Sequence, residues 1–157
     1  MQVFVLDKSP KKAAKMLCNK HLVKMILESA QILSSVHWLQ ETVYKEKVYL
    51  PTHLKHPCVV WANDSKGNYV WLYKHLLALL KEYHYRYMKD HKTEQILIYL
   101  KNVPKSLKSK KKYFVLAMPE TYKQKNIVQA YRNYYLCEKK HLFSWKKRKP
   151  PKWLSSK

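Results

Sequence analysis

A single glycine, Gly67, stands in the whole 157-residue chain, and this scarcity narrows the fold more than any other feature. Tight β-hairpins need residues at positive φ, which glycine supplies at least cost, so a turn-rich all-β fold is disfavoured. A Gly-rich phosphate loop is excluded for the same reason. Helical signals, in contrast, recur along the chain. Ser9-Pro10 reads as an N-cap followed by proline at the first helical position, opening a helix from Pro10 to about Cys18. A second follows from about Asn19 to Gln40. Between Asn68 and Lys89, Val70, Trp71, Tyr73, Leu76, Leu77 and Leu80 recur at helical spacing, with Lys74, Lys81 and Glu82 interleaved. Thr93 to Asn102 and a Tyr-rich stretch from Asn126 to about Lys147 read as further helices. Met1 to Leu6 reads as a short extended run. Glu41 to Pro57 reads as a loop with an extended piece at Val43 to Leu50, and Lys105 to Lys112 as a basic loop. With 46% hydrophobic residues a real core is affordable. The expectation is an all-α, compact single-domain helical bundle over residues 1–147, with a short extended N-terminus and a basic irregular tail over 148–157.

The charge is the second constraint. Thirty-two Lys and Arg face ten Asp and Glu, a formal charge of +22. So large an excess repels itself in a compact state and favours a polyanion that releases counterions on binding. Nucleic acid, double-stranded DNA in particular, is the expected partner; a merely basic surface or another acidic partner is the alternative. Only three of the basic residues are arginine, Arg86, Arg132 and Arg148. An AT-rich genome accounts for lysine over arginine, but not for the shortage of acids. No run approaches the roughly 18 apolar residues of a membrane span, and no signal peptide is expected. Cys18, Cys58 and Cys137 are widely spaced and odd in number, which argues against a disulfide framework and for a reducing, intracellular setting. No cofactor and no small-molecule ligand is expected.

Phosphate contacts are expected from the basic loop (Lys110, Lys111, Lys112), the end of the chain (Lys146, Lys147, Arg148) and the arginines among aromatic residues (Arg86, Arg132). Tyr83, Tyr85, Tyr87, Tyr131, Tyr134 and Tyr135 at helical spacing are read mainly as core.

The densest chemistry lies on the second helix. His21 and Glu28 are seven apart, almost two turns, so both project from one side, with Lys24 between them and Gln31 and Ser35 extending the stripe. The rest of that helix is largely apolar. A solvated face with an ordinary Lys24–Glu28 pair is the bland reading. Yet Glu28 is the sole acid between Asp7 and Glu41, and a carboxylate that would repel a polyanion suggests a task.

This segment resembles the helix-borne active site of the phage-type pyrimidine-dimer DNA glycosylases, the endonuclease V family. The pattern HPCVVW and the helix WLYKHLLALLKEYHYRY are similar to that family as well, so the resemblance covers about the first 90 residues. It implies that His21 contacts the DNA backbone, that Glu28 is the essential carboxylate, and that an N-terminal α-amine is the nucleophile. It also implies an imine with the ring-opened sugar, followed by elimination that cuts the strand. Two departures stand out. The family exposes its second encoded residue by loss of Met, whereas here that residue is Gln2, whose bulk opposes removal; either Met1 supplies the amine or the chain lacks that lyase chemistry. The arginines that flank the family's glutamate are replaced by Leu27 and Gln31. α-Amines titrate near neutrality, while a lysine ammonium, at about 10.4, would need desolvation to substitute.

A zinc site is the competing constellation. Cys18 and His21, with His53, His56 and Cys58, offer five ligands in two clusters, and four would have to converge tetrahedrally. The plainer reading makes the cysteines small core residues and His53 and His56 donors facing DNA. A non-catalytic basic DNA- or RNA-binding protein on the same scaffold, an architectural, packaging or polymerase-associated factor of viral type, is the functional alternative. In an enzyme the Met1 amine, Glu28 and His21 should share one basic cleft.

Overall fold

Ser9 opens the first helix as its sequence suggests. Its Oγ accepts the Lys12 backbone N–H, and Pro10 takes the first helical position. The computed structural model describes residues 1–155. It comprises α1 (Pro10–Met16), α2 (Asn19–Leu39), α3 (Pro57–Asp64), α4 (Lys66–Tyr87), α5 (Leu97–Leu100) and α6 (Ile127–Lys139), joined by loops and short 3-10 turns. Among the described residues there is no strand. The chain is all-α.

α2 and α4, of 21 and 22 residues, pack against one another, with α1 on α4 and α3 against both. Leu22, Ile26, Ala30 and Leu33 of α2 meet Leu72, Leu76 and Leu79 of α4 in the core, all fully buried. Each fully buried Leu or Ile contributes about 1.5–3 kcal/mol relative to exposure. The start of the chain carries no regular element, yet Val3, Phe4, Val5 and Leu6 are buried. Arg132 holds this segment by donating from Nε to the Leu6 carbonyl at 2.9 Å. Burial of these four residues brings the first two residues of the chain against α2.

Gly67 does not make a turn. It sits in the first turn of α4, where a Cβ would lie 3.0 Å from the Lys112 backbone nitrogen. The backbone of Lys110 to Lys112 therefore passes directly over this helix start, and the Tyr113 N–H is held by Asn68 Oδ1 at 3.0 Å. Left-handed backbone falls instead to Glu41, His53, Met88 and Lys147, a conformation that costs about 1–2 kcal/mol without glycine.

Several elements differ from the sequence reading. Pro57–Asp64 is a helix where a loop was expected to end and no helix was foreseen; Pro57 starts it and His56 caps it, its Nδ1 accepting the Cys58 N–H at 3.1 Å. Residues 43–50 do not form an extended segment. They form a 3-10 turn at Lys45–Lys47, and Tyr49 is pinned by bonds to Ser34 Oγ and Trp38 Nε1. The helix expected over 93–102 is a 3-10 turn followed by the four residues of α5. α6 stops at Lys139 because the chain turns back beneath α2. Trp145 Nε1 reaches the Met16 carbonyl, and the Ser144 carbonyl takes the Asn19 N–H. The expected irregular tail carries a 3-10 turn at Lys152–Leu154 whose Trp153 packs against the core, and residues 156–157 lie outside the described residues.

Candidate active site

α2 turns most of its apolar residues inward and presents Lys20, Lys24, Glu28 and Gln31 on its outer side, where Val23 and Leu27 are also exposed. Ser35 departs from that stripe. It is fully buried and exchanges hydrogen bonds with the backbone of Thr52.

Glu28 is the centre of the arrangement, with a side chain 13% exposed. Three nitrogens converge on it. The Gln2 backbone N–H donates to Oε2 at 3.0 Å, and the Met1 α-amine and Lys24 Nζ each lie 3.8 Å from Oε1. The amine is held there by two anchors. The Met1 side chain is only 3% exposed. The Gln2 side chain points inward, donating from Nε2 to the Ala117 carbonyl at 2.6 Å and accepting the Val3 N–H at 2.8 Å. The Cys58 thiol, 3.8 Å from Gln2 Oε1, is pushed up to about 12 by burial and stays protonated. Packing and hydrogen bonding thus fix the position of the first two residues, which would otherwise be free.

His21 lies almost two turns toward the start of α2, buried against the ring of Phe4 at 4.8 Å between centroids. Burial, aided by Lys139, Lys24, Lys20 and His141, lowers its pKa to about 4, so the ring is neutral near pH 7. Its Nδ1 lies 2.9 Å from the Tyr135 hydroxyl, which also accepts the Cys18 N–H at 3.0 Å and lies 3.1 Å from Cys18 Sγ. With Nδ1 engaged, Nε2 is the ring atom left for a ligand. Met1, His21, Lys24, Glu28, Tyr134 and Lys139 line one pocket of about 210 Å³. His56 senses the same centre. Burial lowers its pKa, the Met1 amine lowers it further, and Glu28 works in the opposite sense.

The other residues singled out in the sequence are distributed unevenly. Lys111, Lys112, Lys146 and Lys147 are exposed, and Lys110 is exposed but pairs with Asp64 at 3.1 Å. His53 is exposed, its Nδ1 2.7 Å from Thr52 Oγ1. The arginines correct the expectation. Arg86 is fully buried and bonded to Glu82, the Leu17 and Lys15 carbonyls and Asn19, so its guanidinium is unavailable to phosphate. Arg132 is engaged with the Leu6 carbonyl and lies over the Trp153 ring, and Arg148 is bonded twice to Glu82. Nor do the cysteines and histidines converge as zinc requires. Cys18 and His21 are neighbours, but among the described residues no three His, Cys, Asp or Glu side chains are grouped to hold a metal ion.

Tyr134 and Lys139 of α6 join this pocket across more than a hundred residues of sequence, with Tyr135 buried behind His21, and no local spacing signals that. An amine, a carboxylate, a neutral imidazole and two lysines in one small cavity suit nucleophilic attack at an electrophilic carbon beside bound phosphate.

Residues 1–95 match the family described as pyrimidine dimer DNA glycosylase. The chain belongs to this family. No curated protein and no solved structure matches it. The matched span holds Met1, His21, Lys24 and Glu28, and ends beyond α4; α6 and the chain's end lie outside it. Membership implies a DNA-repair glycosylase function with damaged DNA as substrate. Among the described residues no helix is long and apolar enough to cross a membrane.

Proposed function

We propose that the protein removes a base from a pyrimidine dimer in double-stranded DNA, using the Met1 α-amine as nucleophile and Glu28 as its carboxylate, and then cuts the strand. The observation that carries this reading is the convergence of the Met1 amine, the Gln2 N–H and Lys24 on Glu28 within a pocket that also holds His21.

The amine gives up a proton, with Glu28 the nearest acceptor, and its lone pair attacks the sugar C1′. The glycosidic bond breaks, and the base leaves with that electron pair and takes up a proton. Opening of the sugar ring then completes the imine between C1′ and the amine nitrogen. Loss of a C2′ proton expels the 3′ phosphate, and water releases the aldehyde and restores the amine. Glu28 is placed to stabilise the positive charge that builds on the sugar and to move protons in both halves. His21, neutral, can donate from Nε2 to a phosphate or sugar oxygen without adding charge. Lys24 and Lys139 supply the cations for the adjacent phosphates.

The departure from the family at residue 2 becomes intelligible. Gln2 turns its side chain away from the substrate and anchors the chain, while Met1 carries the amine. Duplex DNA containing a dimer or an abasic site tests the proposal. Wild type should break the glycosidic bond at the dimer and nick the strand of either duplex, and Glu28→Gln should do neither. Tight, salt-sensitive binding by wild type without either product would replace this reading by that of a non-catalytic DNA-binding protein.

A further inference from the structure

A second concave surface lies between α1 and α4, away from the pocket around Glu28. It encloses about 500 Å³ and is lined by Lys11 and Lys15 of α1, by Lys74, Lys81 and Tyr85 of α4, and by Arg148. The four lysines are exposed, and among the described residues none of them makes an ion pair. The pocket around Glu28 has two lysines beside its carboxylate. The groove has twice as many, and its single acid, Glu82, is already neutralised by Arg86 and Arg148.

The end of the chain builds one wall of this groove and ties it to the catalytic region. Ser144 and Lys146 are bonded to Asn19, the first residue of α2, two positions before His21. Arg148 is clamped on Glu82, with its guanidinium 4.2 Å from the centre of the Tyr85 ring. Between these two anchors Lys146 and Lys147 stand over Tyr87 and Tyr85. Four residue steps span at most about 14 Å, the axial rise of about four base pairs of B-DNA. Exposed lysines thus continue from Lys20 on α2, through Lys146 and Lys147, into the groove.

We propose that the α1–α4 groove is a second docking surface for the DNA phosphate backbone, holding the duplex arm that runs on from the lesion. Its choice of DNA as occupant rests on the glycosylase reading. Four unpaired lysines beside an internally neutralised carboxylate fit a polyanion, and the reach of residues 144–148 makes this surface continuous with the site where the lesion binds. Lysine, a strongly hydrated point charge, suits backbone tracking that reads no sequence.

The test measures affinity for undamaged duplex DNA as salt is raised. A variant carrying Lys11→Gln, Lys15→Gln, Lys74→Gln and Lys81→Gln is compared with an equal-charge control carrying Lys47→Gln, Lys92→Gln, Lys101→Gln and Lys105→Gln. Thermal melting checks that both fold. The slope of log K against log salt should fall by about 3–4 in the groove variant, close to 0.9 per lost phosphate contact, and by less than about 1 in the control. An unchanged slope in the groove variant, or equal losses in the two, would overturn the proposal. Binding to undamaged DNA needs no chemistry, so the result stands whether or not the protein cuts a lesion. Conversely, base release by the groove variant at saturating protein reports on the catalytic reading alone.

Discussion

Glu28 and Glu82 sit on the two longest helices of one lysine-rich chain, and they are used in opposite ways. Glu82 is buried and saturated. Burial alone would raise its pKa, but hydrogen bonds from Arg148 and Arg86 at 2.8–2.9 Å hold it below the ordinary carboxylate range. Glu28 is left partly open. One backbone N–H bonds it, and its two cationic neighbours stand off at 3.8 Å, close enough to attract and too far for a hydrogen bond. A carboxylate with its lone pairs filled fixes structure, whereas one with capacity to spare can accept a proton or face a developing charge. The same contrast divides the cations. All three arginines are engaged within the protein, while most lysines remain in solvent. Planar guanidinium groups suit fixed, multidentate bonding, and flexible ammonium groups suit phosphate.

The comparison can be broken most severely at Glu28. Glu28→Gln keeps the shape and removes the charge, and base release should fall by about 10²–10⁴-fold, the range of a positioned acid–base group. Its melting temperature should move little, because a glutamine oxygen can still accept the Gln2 N–H and the two cations stand 3.8 Å away. Glu82→Gln should do the reverse. It strands Arg86 in the interior and should cost about 3–5 kcal/mol of stability by urea unfolding, while the folded fraction keeps its turnover at saturating DNA. If Glu82→Gln were as inactive as Glu28→Gln yet fully stable, the division between the two carboxylates would fail.

Acid should act on a third set of buried groups. His21, His37 and His75 each have a pKa lowered to about 4, in each case chiefly by burial. Because the folded values lie below the unfolded value of about 6.5, the unfolded chain takes up protons that the folded one refuses. Stability is therefore full above pH 6.5 and is lost as pH falls toward 4, with an excess uptake approaching one proton per histidine. Urea midpoints across that range check this, and a flat profile would contradict it.

Much of this organisation was legible in the sequence. Ser9-Pro10, the apolar spacing on α2 and α4, and the His21–Glu28 interval each reflect local rules that the structure obeys. His56-Pro57 opens its short helix with a proline as Ser9-Pro10 does, but histidine is a weaker cap signal than serine, and the loop before it dominates the local pattern. The end of α6 and the fate of the arginines were not readable locally. They depend on Trp145 reaching Met16, on Arg86 meeting the Leu17 and Lys15 carbonyls, and on Glu82 bonding Arg148 sixty-six residues away. The pocket itself needed Met1, Tyr134 and Lys139 to be brought to α2, which only the packed core accomplishes.

The central claim is that the amine of Met1 attacks the sugar. Borohydride reduction during reaction with abasic duplex DNA traps the imine, and peptide mapping by mass spectrometry locates it. A reduced adduct on the Met1 α-nitrogen is the predicted result. An adduct on Lys24, or none from an enzyme that still releases base, would contradict the account.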